Sequence, residues 1–189
     1  LGSERVMLDD AVGRVLARDV VSTVQLPPFD NSAMDGYAIA HGTGSRLPLK
    51  GESRAGGESS PGLERGTAMR ILTGALIPEG ADTVVMQEEV ERDDRSIRIQ
   101  GSPRKGDHIR RAGEDLAIGE IALPAGTLIR TTHLPLLAAV EIVRPEVVRR
   151  PVVNVLATGD ELREPGEQHR PGSIVETNGL TLAALARDA

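Results

Sequence analysis

The residues best suited to chemistry are carboxylates and hydroxyls set in short polar stretches between apolar runs. They are Asp35, Asp115 and Glu161, with hydroxyls at Ser32, Thr73 and Thr158. Carboxylate oxygens suit hard cations such as Mg²⁺, which can bridge phosphate oxygens. They can also serve as acid or base on water or on a bound oxygen. The same residue types act on loops as turn-makers and solubilisers. Thr73 before Gly74 could close a turn, and Asp115 could cap one or pair with Arg110 or Arg111. Other chemistries are poorly served. His41, His108, His133 and His169 are far apart and form no His-x-x-x-His pair. There is no P-loop, and Gly42-Thr43-Gly44 lacks the third glycine of a dinucleotide loop. Asn31 to Gly36 imitates the start of a calcium loop, but Gly42 stands where the bidentate Glu should be. The chain has no cysteine, hence neither disulfide nor thiolate ligand, which fits a cytosolic protein.

Asp35 lies in the stretch around which the chain is organised, Leu26 to Tyr37, Leu-Pro-Pro-Phe-Asp-Asn-Ser-Ala-Met-Asp-Gly-Tyr. It holds the only Phe and the only Tyr, Phe29 and Tyr37, with Asp30 and Asp35 between them. Scarce aromatics flanking a polar core predict a loop anchored at both ends. Pro27-Pro28 restricts φ and disfavours helix before it, and Asp, Asn, Ser and Gly supply side-chain-to-backbone bonds and positive φ. A well-built turn between two strands is the plain alternative.

The flanking elements follow from periodicity. Residues 5–17 read as an extended entry and then a helix, with Val12, Val15 and Leu16 at helical spacing and Asp9 and Asp10 near its N-terminal turn. Asp19 to Val24 is β-branched and reads as a strand. Short apolar runs at 68–72, 83–86, 97–99 and 120–123 then alternate with Gly- and Pro-bearing turns, a β-rich pattern and a barrel candidate. Pro48 to Pro61 reads as a long loop or irregular hairpin, and Gly66-Thr67 and Gly126-Thr127 as turn exits. Glu88, Glu89, Glu91, Asp93 and Asp94 form an acidic face, and Arg104, Lys105, Arg110 and Arg111 a basic one, both read as solvated surface. A helix is expected over Thr131 to Val143, capped by Thr131 or Thr132 with Pro135 in its first turn. Its Leu134–Leu137–Ala138 stripe offers a dimer contact, packs on Val12, Val15 and Leu16, or does both. Val152 to Ala157 reads as a buried-type strand, 158–161 as a polar loop at its end, and Leu180 to Ala189 as a helix capped by Thr177-Asn178. One such βα unit cannot bury its own strand on both faces, so the sequence looks cut.

A length of 189 residues suggests one to two domains. Lys and Arg number 22 against 28 Asp and Glu, so the charge is 22 − 28 = −6, which argues against general affinity for nucleic acid. No long apolar run or basic amphipathic stretch predicts a membrane segment, and Leu-Gly-Ser-Glu-Arg is no signal peptide. Aromatics at 1% require an aliphatic core, while 21 Gly and 12 Pro favour strands and turns over a helical bundle.

Four segments carry a family resemblance: residues 30–38, Leu72-Thr73-Gly74-Ala75, Arg111-Ala112-Gly113-Glu114-Asp115, and Ala157-Thr158-Gly159-Asp160-Glu161-Leu162. In this order they resemble the motifs of the molybdopterin molybdenumtransferases, bacterial MoeA and the E domain of gephyrin. The resemblance implies an α+β multidomain fold: a β-rich, barrel-like domain (21–127) inserted in a small helical, dimerising domain (1–20 plus 128–149). The first βα unit of a truncated three-layer α/β molybdopterin-binding domain (150–189) follows. It implies insertion of molybdate into adenylylated molybdopterin with release of AMP, with Mg²⁺ as cofactor, by a cytoplasmic homodimer whose active site lies between subunits. Asp35, Thr73, Asp115 and Glu161 fall on the family's catalytic positions. Ser32, Thr158 and Asp160 fall beside them as cofactor-binding candidates, and Asp35 and Glu161 as ligands for Mg²⁺ or molybdate. Molybdopterin adenylyltransferase and molybdoenzyme pathway proteins are the implied partners, with neither nucleic acid nor membrane. The fragment alone is expected to be inactive. The rival readings are a non-catalytic scaffold of gephyrin E-domain type and a carbohydrate- or nucleotide-binding β domain sharing only turn chemistry.

Overall fold

The computed structural model of the chain describes residues 2–57 and 62–188. Contacts divide it into two compact units, Arg5–Val147, and Leu1–Glu4 together with Val148–Ala189. The first holds the core. Its centre is a six-stranded mixed sheet in the order Thr83–Met86, Gly36–Ile39, Ala68–Ile71, Arg46–Ser53, Ser96–Ile99, Val90–Arg92. Arg46–Ser53 and Ala68–Ile71 run parallel, and the other neighbours antiparallel. Successive side chains of a strand face opposite ways, and both faces are covered. Tyr37, Ile39, Ala68, Val85 and Ile97 bury into one cluster, while Ala38, Ile71 and Val84 join Ala75 in another. The outermost strands do not pair with each other among the described residues, so the six strands form an open row.

Part of the stretch read as a long loop or irregular hairpin, Pro48 to Pro61, is strand. Arg46–Ser53 is paired on both sides, which satisfies its backbone despite Pro48 and Gly51. Its parallel register shifts between Leu49 and Glu52, where Gly51 takes φ 76°, so the glycine absorbs the bulge. Residues 58–61 of that expected loop lie outside the described residues. The two Gly-Thr turn exits form as expected: Thr67 and Thr127 each donate a hydroxyl to the carbonyl three residues back, on Glu64 and Pro124.

A third cluster gathers Ala11, Leu16, Val20, Leu123, Ile129, Leu137, Val140 and Val147. The helix expected within 5–17 is absent, and only a 3₁₀ turn, Leu8–Asp10, forms there. Gly13 takes φ 79°, and Leu16 donates its N–H to the Thr127 carbonyl (2.9 Å) and forms a bridge with Val147. Long-range pairing thus takes the hydrogen bonds that a helix would have kept local. The later helix is shorter than expected, a 3₁₀ turn Thr131–His133 followed by Leu134–Ala139 with Pro135 in its first turn. Neither threonine caps it. His133 Nδ1 accepts the Arg130 N–H instead (3.3 Å). Leu137 buries in the same cluster as Leu16, with Leu134 packed against it, while Ala138 is exposed.

In the second unit, Val152 to Ala157 is not a strand: Val152 is 87% and Leu156 86% exposed. An apolar strand of this type is held by neighbours along its edges and over its faces. The chain that follows forms a two-residue parallel ladder, Leu162–Arg163 with Ile174–Val175, which leaves 152–157 out. The last helix, Asn178–Asp188, forms near its expected place. The carboxylate of Glu176, accepting the Gly179 N–H (2.6 Å), does the capping expected of Thr177 or Asn178. No described residue from 149 onward is buried. Among the described residues, no helix is long and apolar enough to cross a membrane.

Candidate active site

Three of the four chemistry-bearing motifs converge in the first unit, tied by backbone hydrogen bonds. Ser32 N–H donates to the Ala75 carbonyl (3.0 Å) and Gly74 N–H to the Ser32 carbonyl (2.8 Å). Ala33 N–H reaches the His108 carbonyl (2.9 Å), and Ile109 pairs with Ser32. Gly36 is required by crowding, since a Cβ there would lie 2.0 Å from the Val85 carbonyl oxygen. Gly74, at φ 77°, turns the chain directly after Thr73.

At this corner Asp35 meets Thr73. One carboxylate oxygen, Oδ1, accepts both the Thr73 N–H and the Thr73 hydroxyl, each at 2.7 Å. The Thr73 backbone bond, then its hydroxyl bond, hold the Asp35 carboxyl below its usual range against the opposing cost of burial, with a lesser contribution from the positive charge of Arg70. Asp35 is therefore an ionised group with a fixed rotamer, and among the described residues its Oδ2 accepts no hydrogen bond. Ser32 is buried, and its hydroxyl donates to the Met34 carbonyl (2.6 Å), closing the turn that presents Asp35.

A second knot fixes the third motif to the first. Asp30 accepts the Ala112 N–H (2.8 Å) and the Arg111 guanidinium (2.5 Å). Chiefly the backbone bond from Ala112, with help from Arg111, lowers the Asp30 pKa. Arg110 pairs with Glu114 (2.8 Å) and with Asp115 (2.5 Å). The bonds from Asp115 and Glu114 raise the Arg110 pKa further. Asp115 thus faces its own turn, paired with Arg110. Sequence reasoning missed Asp30 and Arg111 as a clamp; of the expected basic face, Arg110, Arg111 and Lys105 (3.5 Å from Asp82) are paired while their side chains stay exposed. The available signal was position, because both residues open a motif. Phe29 does not anchor the loop as expected. It is 41% exposed, and the anchor is Tyr37 together with these hydrogen bonds.

Glu161, Thr158 and Asp160 belong to the other unit. Thr158 and Glu161 line a pocket of about 360 Å³ with Glu176, Thr177 and Asn178. Asp160 is exposed. Gly159 leaves room for the Glu161 carboxylate, which lies 2.6 Å from where a Gly159 Cβ would stand. Among the described residues, no three His, Asp or Glu groups come together in a way that could hold a metal ion.

Comparisons with known proteins agree with these motifs. A family model described as "MoeA N-terminal region (domain I and II)" matches residues 1–141. The chain is 40% identical over 187 residues to the molybdopterin molybdenumtransferase of Haemophilus influenzae, covering 97% of this chain and 46% of that protein. It is 41% identical over 192 residues to molybdopterin molybdenumtransferase 2 of Mycobacterium tuberculosis, covering 97% and 47%. A crystal structure of the molybdopterin biosynthesis MoeA protein from Pyrococcus horikoshii superposes with a TM-score of 0.87 at 38% identity, covering 98% of this chain and 52% of that one. The chain spans about half the length of the curated relatives it matches.

Proposed function

The chain belongs to the MoeA N-terminal family, domains I and II, and on that premise we propose that it is the front half of a molybdopterin molybdenumtransferase. The reaction is insertion of molybdate into adenylylated molybdopterin with release of AMP. The observation that carries this reading is the Asp35–Thr73 pair, an ionised carboxylate with one oxygen fixed by two donors and the other left open. Oδ2 can accept a proton from a bound water and pass it to an oxygen of molybdate, and Thr73 holds the carboxylate still while it does so. Asp30, Arg111 and the Arg110–Asp115 pair keep the supporting loops in register. Thr158, Asp160 and Glu161 bring a second set of oxygen ligands to the pterin side.

Mg²⁺ is a poor fit to these residues alone, because Asp35 stands without two further metal-ligating groups among the described residues. No step is therefore assigned to it. The reading keeps the arrangement of a β-rich domain (21–127) inserted in a dimerising domain (1–20 plus 128–149), with 150–189 opening an α/β domain. It also keeps a cytoplasmic homodimer whose cleft joins Asp35, Thr73 and Asp115 of one subunit to Glu161 of the other, with the adenylyltransferase that makes the substrate and the molybdoenzymes it serves as partners. These 189 residues alone are inactive on this reading, because they span half of a relative's length.

The test is AMP release from adenylylated molybdopterin and molybdate by a longer protein carrying this chain as its first half. Asp35→Asn and Thr73→Val should each abolish it. Asp35→Ala and Glu161→Ala proteins, each inactive, should recover activity when mixed and allowed to exchange subunits. Full AMP release by Asp35→Asn would overturn the assignment, and no recovery after exchange would overturn the shared cleft.

A further inference from the structure

The face of the sheet that carries Asp35 also carries an arginine that forms no ion pair among the described residues. Arg70 stands directly opposite Tyr37 on the neighbouring strand, and the carbonyl of Asp35, two residues before Tyr37, accepts the Gln87 N–H (3.1 Å). Residues directly opposite in an antiparallel pair share a face, as do residues two apart. Arg70, Tyr37, Asp35 and Gln87 are therefore neighbours on one surface at the end of the sheet. The Arg70 guanidinium lies 5.2 Å from the centre of the Tyr37 ring and donates one N–H to Gln87 Oε1 (2.7 Å). Both partners are neutral.

Four other arginines of the unit behave differently. Arg46, Arg54, Arg110 and Arg111 each sit on a carboxylate. Glu52, opposite Arg70 on the parallel strand, is taken by Arg54. Among the described residues, no acidic group forms an ion pair with Arg70. A partly buried guanidinium held flat by a ring and an amide, with donors to spare, is prepared for an oxyanion.

We infer that Arg70 is a preformed oxyanion receptor that holds a phosphate or molybdate group beside Asp35. The inference deepens the proposed function and rests on it only for the identity of the ligand. Tyr37 positions the guanidinium from below, Gln87 from the side, and the free N–H groups face the oxyanion. The Asp35 carboxylate beside it opposes an anion in the same place.

The chain supplies its own reporter, since Tyr37 is the only tyrosine and there is no tryptophan. Tyrosine emission of the whole 189-residue chain is titrated with inorganic pyrophosphate in one arm and molybdate in the other, at constant ionic strength. Saturable binding is expected in at least one arm. A pyrophosphate response assigns the site to the phosphate of the substrate, and a molybdate response to the oxyanion being inserted. Arg70→Ala should weaken binding about tenfold or more, and Arg70→Lys, which keeps the charge but not the fork, by a smaller factor. Gln87→Ala should weaken it about threefold, and Asp35→Asn should tighten it, a direction that lost structure would not produce. Arg95→Ala, which removes the same charge from an exposed turn, should change nothing. Should Arg70→Ala fail to fold, the Lys and Gln87 variants carry the same test. The inference is overturned if neither anion binds the wild-type chain saturably, if Arg70→Ala binds as the wild type does, or if Arg95→Ala loses as much. None of these results bears on AMP release, which judges the transferase reading separately.

Discussion

Thr83–Met86 and Val152–Ala157 are both short, β-branched apolar runs, yet the chain treats them in opposite ways. Val84 and Val85 are 0% and 1% exposed in a strand at the edge of the six-stranded sheet, while Val152 and Leu156 are almost fully open. Intrinsic preference does not separate them, because valine favours extended backbone in both. The difference is the company each run finds. Thr83–Met86 pairs along its whole length with Gly36–Ile39 and lies over two apolar clusters. Val152–Ala157 has no ladder partner among the described residues. Strand character is largely a property of the neighbours.

Substitutions can break or sharpen that contrast. The largest expected effect is Gly36→Ala, which drives a methyl into the Val85 carbonyl and should cost roughly 3 kcal/mol or more in urea unfolding. Gly159→Ala meets only the end of the flexible Glu161 side chain and should cost less than about 1 kcal/mol. Equal costs at the two glycines would erase the distinction between the regions. Next comes Leu16→Ala, which empties a position 1% exposed and should cost about 2–5 kcal/mol, against about 0.5 kcal/mol or less for Leu185→Ala at 60% exposure. Smaller again is Asp30→Asn, which weakens a partly exposed clamp and should cost about 1 kcal/mol by thermal or chemical unfolding. The smallest concerns acid stability. Bonds from the Ser96 hydroxyl and from the Arg95 and Ser96 backbone lower the Asp93 pKa from 3.8 to about 2. A carboxylate lowered in the folded state contributes stability above its unfolded pKa and loses it as pH falls through the folded one. Asp93→Asn should therefore flatten the fall in melting temperature between about pH 4 and pH 2, and an unchanged acid limb would refute the assignment.

Much of the body was readable from local pattern. The strands Ala68–Ile71, Thr83–Met86 and Ser96–Ile99 lie within a residue of their apolar runs, and the Gly-Thr turn exits behave alike because Ser and Thr turns are local. Readings that needed distant partners went astray. Val12, Val15 and Leu16 kept helical spacing, but Leu16 pairs with chain more than a hundred residues away. Arg46–Ser53 looked like loop because Pro48 and Gly51 mark turns, and it is strand because both of its edges are satisfied. At the candidate site, the residue types of Asp35, Thr73 and Asp115 marked them in the sequence, while the Asp30–Arg111 clamp was hidden by a separation of 81 positions.

By itself the sequence determined the inventory: an aliphatic, turn-rich chain without cysteine, carrying oxygen-ligand motifs in a fixed order that identify its family. Those are properties of residue type and of spacing within a few positions, where backbone preference and short hydrogen bonds act. Tertiary structure alone decided which of these groups meet. Asp35 is held by Thr73, Asp115 is turned onto Arg110, and Arg70 forms no ion pair among the described residues, because strand register and loop crossings set distances between residues far apart in the chain. Electrostatic and hydrogen-bond energies fall off within a few ångströms, so the chemistry of the site is fixed only when the sheet has closed those distances.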